Sequence, residues 1–239
     1  MMQNKTNCIR NYREFLIEFQ KQDYRFVKFN EYNSTHNQII LRHDIDYDVE
    51  LALQGARIEN ELGIKSTYFF LLRSDFYNPF AKSNFDKINE IKNLGHQISI
   101  HFDPTLYDDF QVGFLDELFF FESTFKVKIE IISLHRPNEF FQKYNQKIGG
   151  IEHTYQDKYF KHLKYFADST GKWRFGDPIE SEEFKNKNSI QLLIHPIWWM
   201  IEGDTNLEVL RNFYKMSLNK KKINFEENSI PFREISNEF

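Results

Sequence analysis

The chain has 239 residues, 41% of them hydrophobic, which is enough for one packed core and within the range of a single α/β barrel or sandwich. Its 31 basic and 35 acidic side chains give a formal net charge of −4 with no long block of either sign, which excludes an electrostatic case for a nucleic-acid partner. A single cysteine, Cys8, excludes an intramolecular disulfide and a thiolate metal cluster, and neither a signal-type leader in MMQNKTNCIRNYREFL nor an apolar run approaching about 18 residues is present, so the expectation is a cytoplasmic protein with no membrane span.

In chain order, a first strand is predicted over 38–41, followed by a helix over 48–62 that places Val49, Ala52, Ala56 and Leu62 near helical spacing, with Gly63 as its C-cap. A second strand over 66–72 leads to a helix over 79–94, where Phe85, Ile88, Ile91 and Leu94 mark one face and Gly95 ends it. Strands over 97–101 and 129–134 flank a third helix over 109–124. The segment 138–161, with Gly149 and Gly150, reads as a long loop or small insertion. Strands over 164–167 and 189–194 follow, then a helix over 207–218, and the run Lys220 to Lys222 reads as solvated surface. Alternating short strands and amphipathic helices predict a parallel α/β sheet with right-handed crossovers, open or closed into a barrel, in a single domain over 1–239.

The polar residues fall where such a sheet builds its sites. Asp44 and Asp46 follow the first strand, His101 closes the third, His135 and Arg136 close the fourth, Asp168 follows the fifth and His195 the sixth. Five strands thus deliver His, Asp or Arg at their C-terminal ends, the face that carries the chemistry in parallel α/β folds. No glycine spacing matches a dinucleotide or phosphate loop, and no serine nucleophile elbow is present. An Asp/His set suits zinc or a similar divalent ion, and the additional carboxylate, Arg and His suit metal-assisted hydrolysis.

The order RHDID, LGHQISIHFD, SLHRP, ADSTGKW, LLIHPIWW resembles the NodB-type polysaccharide deacetylases, the family 4 carbohydrate esterases, over about residues 38–200. The resemblance implies a distorted (β/α) barrel and metal-dependent removal of N-acyl or O-acyl groups from sugars. It implies that Asp44 is the water-activating base and Asp46 a metal ligand, and residues two apart on an extended backbone point the same way. It makes His101 a metal ligand, while His96 matches a structural His. The second His of that motif is replaced by Thr105, which leaves His135 or Asp103 as the third ligand, with Asp103 also a candidate substrate contact. Arg136 matches the arginine that holds the catalytic carboxylate, Asp168 the residue that tunes the acid, and His195 the general acid. Trp173, Trp198 and Trp199 are candidates for stacking on a sugar ring or for wedging the core.

The expected activity is therefore that of a zinc-type metal-dependent amide hydrolase acting on an acylated amino sugar. The expected substrate is an intracellular precursor such as a nucleotide-linked or lipid-linked sugar for surface polysaccharide assembly. The alternatives are a non-catalytic sugar-binding member of the same fold and a hydrolase of a non-sugar amide.

Overall fold

The computed structural model describes residues 11–33 and 35–238, so Cys8 lies outside the described residues. Eight strands occur in the order β1 (Arg25–Val27), β2 (Gln38–Ile45), β3 (Thr67–Phe70), β4 (Gln97–Phe102), β5 (Ile131–Leu134), β6 (Glu152–His153), β7 (Lys164–Ala167) and β8 (Ile190–Ile194). They form one sheet in the spatial order β6-β5-β4-β3-β2-β8-β7, with β1 added alongside the first half of β2. Every strand pairing is parallel. The edges β6 and β7 do not pair with each other, yet residues beyond β5 and β6 and residues of β7 line one pocket. The sheet is therefore curled into an unclosed, distorted (β/α) barrel.

The helices are α1 (Tyr12–Lys21), α2 (Val49–Glu61), α3 (Lys82–Asn93), α4 (Phe110–Phe125), α5 (Glu139–Lys143), α6 (Asp157–Phe160), α7 (Glu182–Lys185), α8 (Ile197–Met200), α9 (Asn206–Asn228) and α10 (Ile230–Ile235). Among the described residues, no helix is long and apolar enough to cross a membrane. Segment 138–161 is more than a loop: it contains α5, β6 and α6. The last predicted helix runs ten residues past its expected end at 218, because nothing between Leu218 and Asn228 breaks a helix.

Strand alternation decides which side chains reach the barrel interior. Along β4, Ile98, Ile100 and Phe102 pack with Ile88 and Ile91 of α3 and with Phe114, Phe121 and Phe125 of α4. Ser99 and His101 occupy the opposite face. Along β2, Ile39 and Leu41 join the cluster made with Tyr12, Phe15 and Phe19 of α1. Ile40 instead packs with Phe69, Ile131 and Leu163, plugging the barrel below the polar residues.

Beneath the sheet, α2 buries Glu59 completely. Its carboxylate accepts hydrogen bonds from the Tyr12 and Tyr68 hydroxyls at 2.5 and 3.0 Å and from Ser66, and its Oε1 lies 2.7 Å from His43 Nε2. His96 completes the network and contacts the Ala56 carbonyl at 3.0 Å, so it is structural. Burial would raise the Glu59 pKa, but His43, then His96 and Ser66, hold it down at about 2. An unfolded glutamate titrates near 4.3. The stabilisation is therefore fully present above that value and is lost as pH falls through the folded value. Chemical denaturation across pH 5 to 2 is expected to show a loss on the order of 3 kcal/mol that Glu59→Gln does not show.

Candidate active site

Strand β2 runs straight into the site. It is buried along its whole length, including Arg42, His43 and Asp44. Arg42 Nη2 donates to Asp44 Oδ2 at 2.7 Å, and Nη1 donates to Gln191 Oε1 at 3.2 Å. The guanidinium also lies 5.4 Å from the Tyr155 ring centre and 5.9 Å from that of Tyr165. An arginine can be buried here because its charge and its face are both partnered. Burial alone would raise the Asp44 pKa. Arg42, with smaller contributions from His101 and His195, outweighs burial and brings it below the ordinary carboxylate value. Asp44 Oδ1 accepts no hydrogen bond among the described residues.

Two residues on, the Asp46 carboxylate faces two imidazoles. Its Oδ1 lies 3.3 Å from His101 Nε2 and 3.6 Å from His135 Nδ1, and the two ring nitrogens are 3.1 Å apart. The three donor atoms lie within 4.8 Å of one another. His101 Nδ1 is 2.6 Å from Ser133 Oγ on the neighbouring strand β5, which fixes the ring with Nε2 toward Asp46. Asp46 Oδ1 is buried and accepts no well-aligned hydrogen bond. An unsatisfied buried carboxylate oxygen beside two convergent imidazole nitrogens fits a divalent cation, and two nitrogens with one carboxylate form a catalytic zinc set with a position left open.

On the other side, Asp168 is fully buried at the end of β7. Its carboxylate receives His195 Nδ1 at 2.6 Å, the His195 backbone N–H at 3.0 and 3.1 Å, and the Trp199 indole N–H at 2.8 Å. This orients His195 Nε2 toward the site, 3.9 Å from Asp46 Oδ2. Burial would lower the His195 pKa, but Asp168 first, then Asp46 and Asp44, push it up to about 9.

Asp44, Asp46, His101, His135, Arg136, His195 and Trp198 thus line one pocket of about 570 Å³ at the C-terminal ends of the strands. Gln142, Ser169, Thr170, Arg174 and Asn206 supply its polar rim, and Tyr155, Phe160 and Tyr165 an aromatic wall.

Three expected placements differ. The countercharge of Asp44 is Arg42, not Arg136, which is an exposed rim residue. The chain turns through the left-handed region at Arg136 (φ 44°), so the β5 alternation no longer directs its side chain. Asp103 does not line the pocket: β4 ends at Phe102, and the Asp103 carboxylate accepts hydrogen bonds from the Thr105 N–H and hydroxyl at 3.0 and 2.6 Å. Trp173 is a core residue, packed 5.7 Å from Phe15 and 6.0 Å from Trp199, and does not reach the pocket. Arg42 was discoverable, because it stands two residues before Asp44 on the same strand face. Tyr155 and Tyr165 carry no local signal of that kind.

No family model matches the chain, and no curated protein matches it. Among solved structures, a family 4 carbohydrate esterase from Bacillus anthracis is similar at 14% identity and a TM-score of 0.45, over 87% of this chain and 86% of that one. A chitin deacetylase from Colletotrichum lindemuthianum is similar at 13% identity and a TM-score of 0.42, over 74% and 81%. A CE4 family pseudoenzyme from Bacillus anthracis is similar at 13% and 0.42 over 79% of this chain, which spans 63% of the length of that one. Two of these three structures, the esterase and the pseudoenzyme, belong to the family 4 carbohydrate esterases, which the sequence motifs resemble.

Proposed function

We propose that the protein is a metal-dependent hydrolase that removes an acyl group from the nitrogen of an amino sugar. The observation that supports this is the convergence, in one pocket, of three groupings with separate duties: Asp44 on Arg42, Asp46 with His101 and His135, and His195 on Asp168. His135 takes the place of the family His that Thr105 lacks, so the donor set favours a catalytic over a purely sugar-binding member.

A divalent ion, which we take to be zinc, would be held by Asp46, His101 and His135 and would supply a Lewis acid for the acyl carbonyl and the attacking water. Asp44 Oδ1 accepts the proton from that water, while Arg42 keeps Oδ2 fixed and the carboxylate ionised. His195 Nε2 delivers a proton to the departing sugar nitrogen, and Asp168 holds Nδ1 and stabilises the imidazolium. The polar rim around Gln142, Arg174 and Asn206 suits sugar hydroxyls.

The reading is tested by acyl release from N-acetylated glucosamine derivatives, with chelated protein as control. The same assay gives a pH test. The general acid works protonated, so the rate falls as pH rises through the His195 pKa of about 9. Asp168→Asn removes the main group raising that pKa and leaves burial, which lowers it, opposed only by the smaller pull of Asp46 and Asp44. The alkaline limb of kcat/KM is then expected to move to lower pH, with a loss of roughly tenfold or more at pH 8. An unmoved limb would remove His195 from the role of acid.

A further inference from the structure

The candidate active site does not end at its polar rim. A second groove, of about 520 Å³, lies between α9 and the loops that follow β2 and β3. Tyr47 and Leu210 line both this groove and the catalytic pocket, so the two spaces adjoin. Their linings differ in kind. The catalytic pocket carries the paired carboxylates and imidazoles, whereas the groove has an apolar wall of Tyr47, Phe76, Leu210, Phe213, Tyr214 and Leu218. Asp48, Asp75, Ser217, Lys220, Lys221 and Asn224 complete its lining. Tyr47 stands edge-on to Phe76 at 4.8 Å and to Phe213 at 5.6 Å, which makes an aromatic threshold between the two.

The α9 side is one helical stripe: Leu210, Phe213, Tyr214, Ser217, Leu218 and Lys221 recur at i, i+3, i+4, i+7, i+8 and i+11. Such a stripe on a surface helix ordinarily packs on the body of the protein. Here only Val209 and Phe213 of α9 are buried, while Phe76, Tyr214 and Leu218 are 60%, 64% and 48% exposed. The Lys220 ammonium reaches Asp48 Oδ2 at 3.0 Å and ties α9 to the N-cap of α2, and both residues line the groove. Contiguous exposed apolar surface beside a catalytic pocket is characteristic of a ligand groove.

We propose that this groove binds the hydrocarbon tail of an amphiphilic substrate, an acylated sugar carrying an apolar aglycone, while the sugar occupies the catalytic pocket. The proposal rests on the amino-sugar reading. Continuity through Tyr47 and Leu210 selects this occupant, because a molecule with its polar head at Asp46 has a direct path for an apolar tail across the Tyr47 threshold.

The test compares the methyl and octyl glycosides of N-acetylglucosamine, each below its micelle concentration, for binding by calorimetry and for acyl release. The octyl glycoside is expected to bind at least tenfold more tightly, and that ratio is expected to fall toward one in Leu218→Asp and Tyr214→Ser, two changes at exposed positions. Equal binding of the two glycosides by the wild-type chain overturns the proposal, as does a ratio that survives in both variants. It is overturned equally if Leu218→Asp leaves the ratio intact and instead dissociates a dimer seen by sedimentation, since the groove would then be a contact between copies. An octyl preference in binding without acyl release from either glycoside upholds the groove and removes the deacetylase reading alone.

Discussion

Asp44→Asn is expected to lower the rate of acyl release by roughly 10³-fold while leaving metal uptake unchanged. The substitution keeps the size of the side chain and the acceptor oxygen toward Arg42, but it removes the oxygen proposed to take the proton from water. Asp46, two residues on, belongs to the other grouping, with His101 and His135 as its nearest nitrogens. The two carboxylates are separable for that reason, and parallel measurement of turnover and bound metal reads them apart. Loss of metal together with activity would place Asp44 among the ligands, and normal turnover would remove it from catalysis.

The second large effect is on stability. Arg42→Met is expected to cost about 3–5 kcal/mol in urea denaturation at neutral pH, because it strands the buried Asp44 carboxylate without its countercharge. The same change removes the cation that lies over both the Tyr155 and the Tyr165 ring. Its pH dependence has a definite sign. In the wild-type chain Asp44 titrates below its ordinary value, so its stabilisation is present above the unfolded pKa and is lost as pH falls through the folded one. In the variant only burial and the weaker pull of His101 and His195 remain, the pKa rises, and protonation relieves the cost. The gap between the two proteins therefore narrows toward acid pH. A gap that does not change with pH would mean that Arg42 stabilises by packing rather than by charge.

The parallel sheet was legible because its strands are short apolar runs separated by helical stripes, and the site because its residues stand at strand ends. The departures share one physical origin. Arg42 reads as the end of an apolar strand, so β2 was expected to stop at Leu41, yet the strand continues to Ile45 because Asp44 and Gln191 partner the guanidinium inside the barrel. Arg136 enters as the countercharge only through the resemblance of the HRP motif, whereas Arg42 stands outside the strand predicted to end at Leu41. Asp103 was assigned by extending the β4 alternation one residue past the point where Pro104 begins a turn. Helix α1 carried a readable signal, with Asn11 as N-cap and Tyr12, Phe15, Leu16 and Phe19 on one stripe. The two-residue strand β6 did not, since two residues carry no period. Tyr165 reaches Arg42 through the β7-β8-β2 pairing and Tyr155 through the curl that brings the β6 edge over β2, tertiary events with no local sequence mark.

The proposed hydrolysis depends on a divalent ion held by Asp46, His101 and His135. Zinc titration of the metal-stripped protein, with His135→Ala measured in parallel, tests it most directly. One ion per chain is expected in the wild type, with at least tenfold weaker binding in the variant. No uptake by the wild-type chain, or wild-type affinity in His135→Ala, would contradict it.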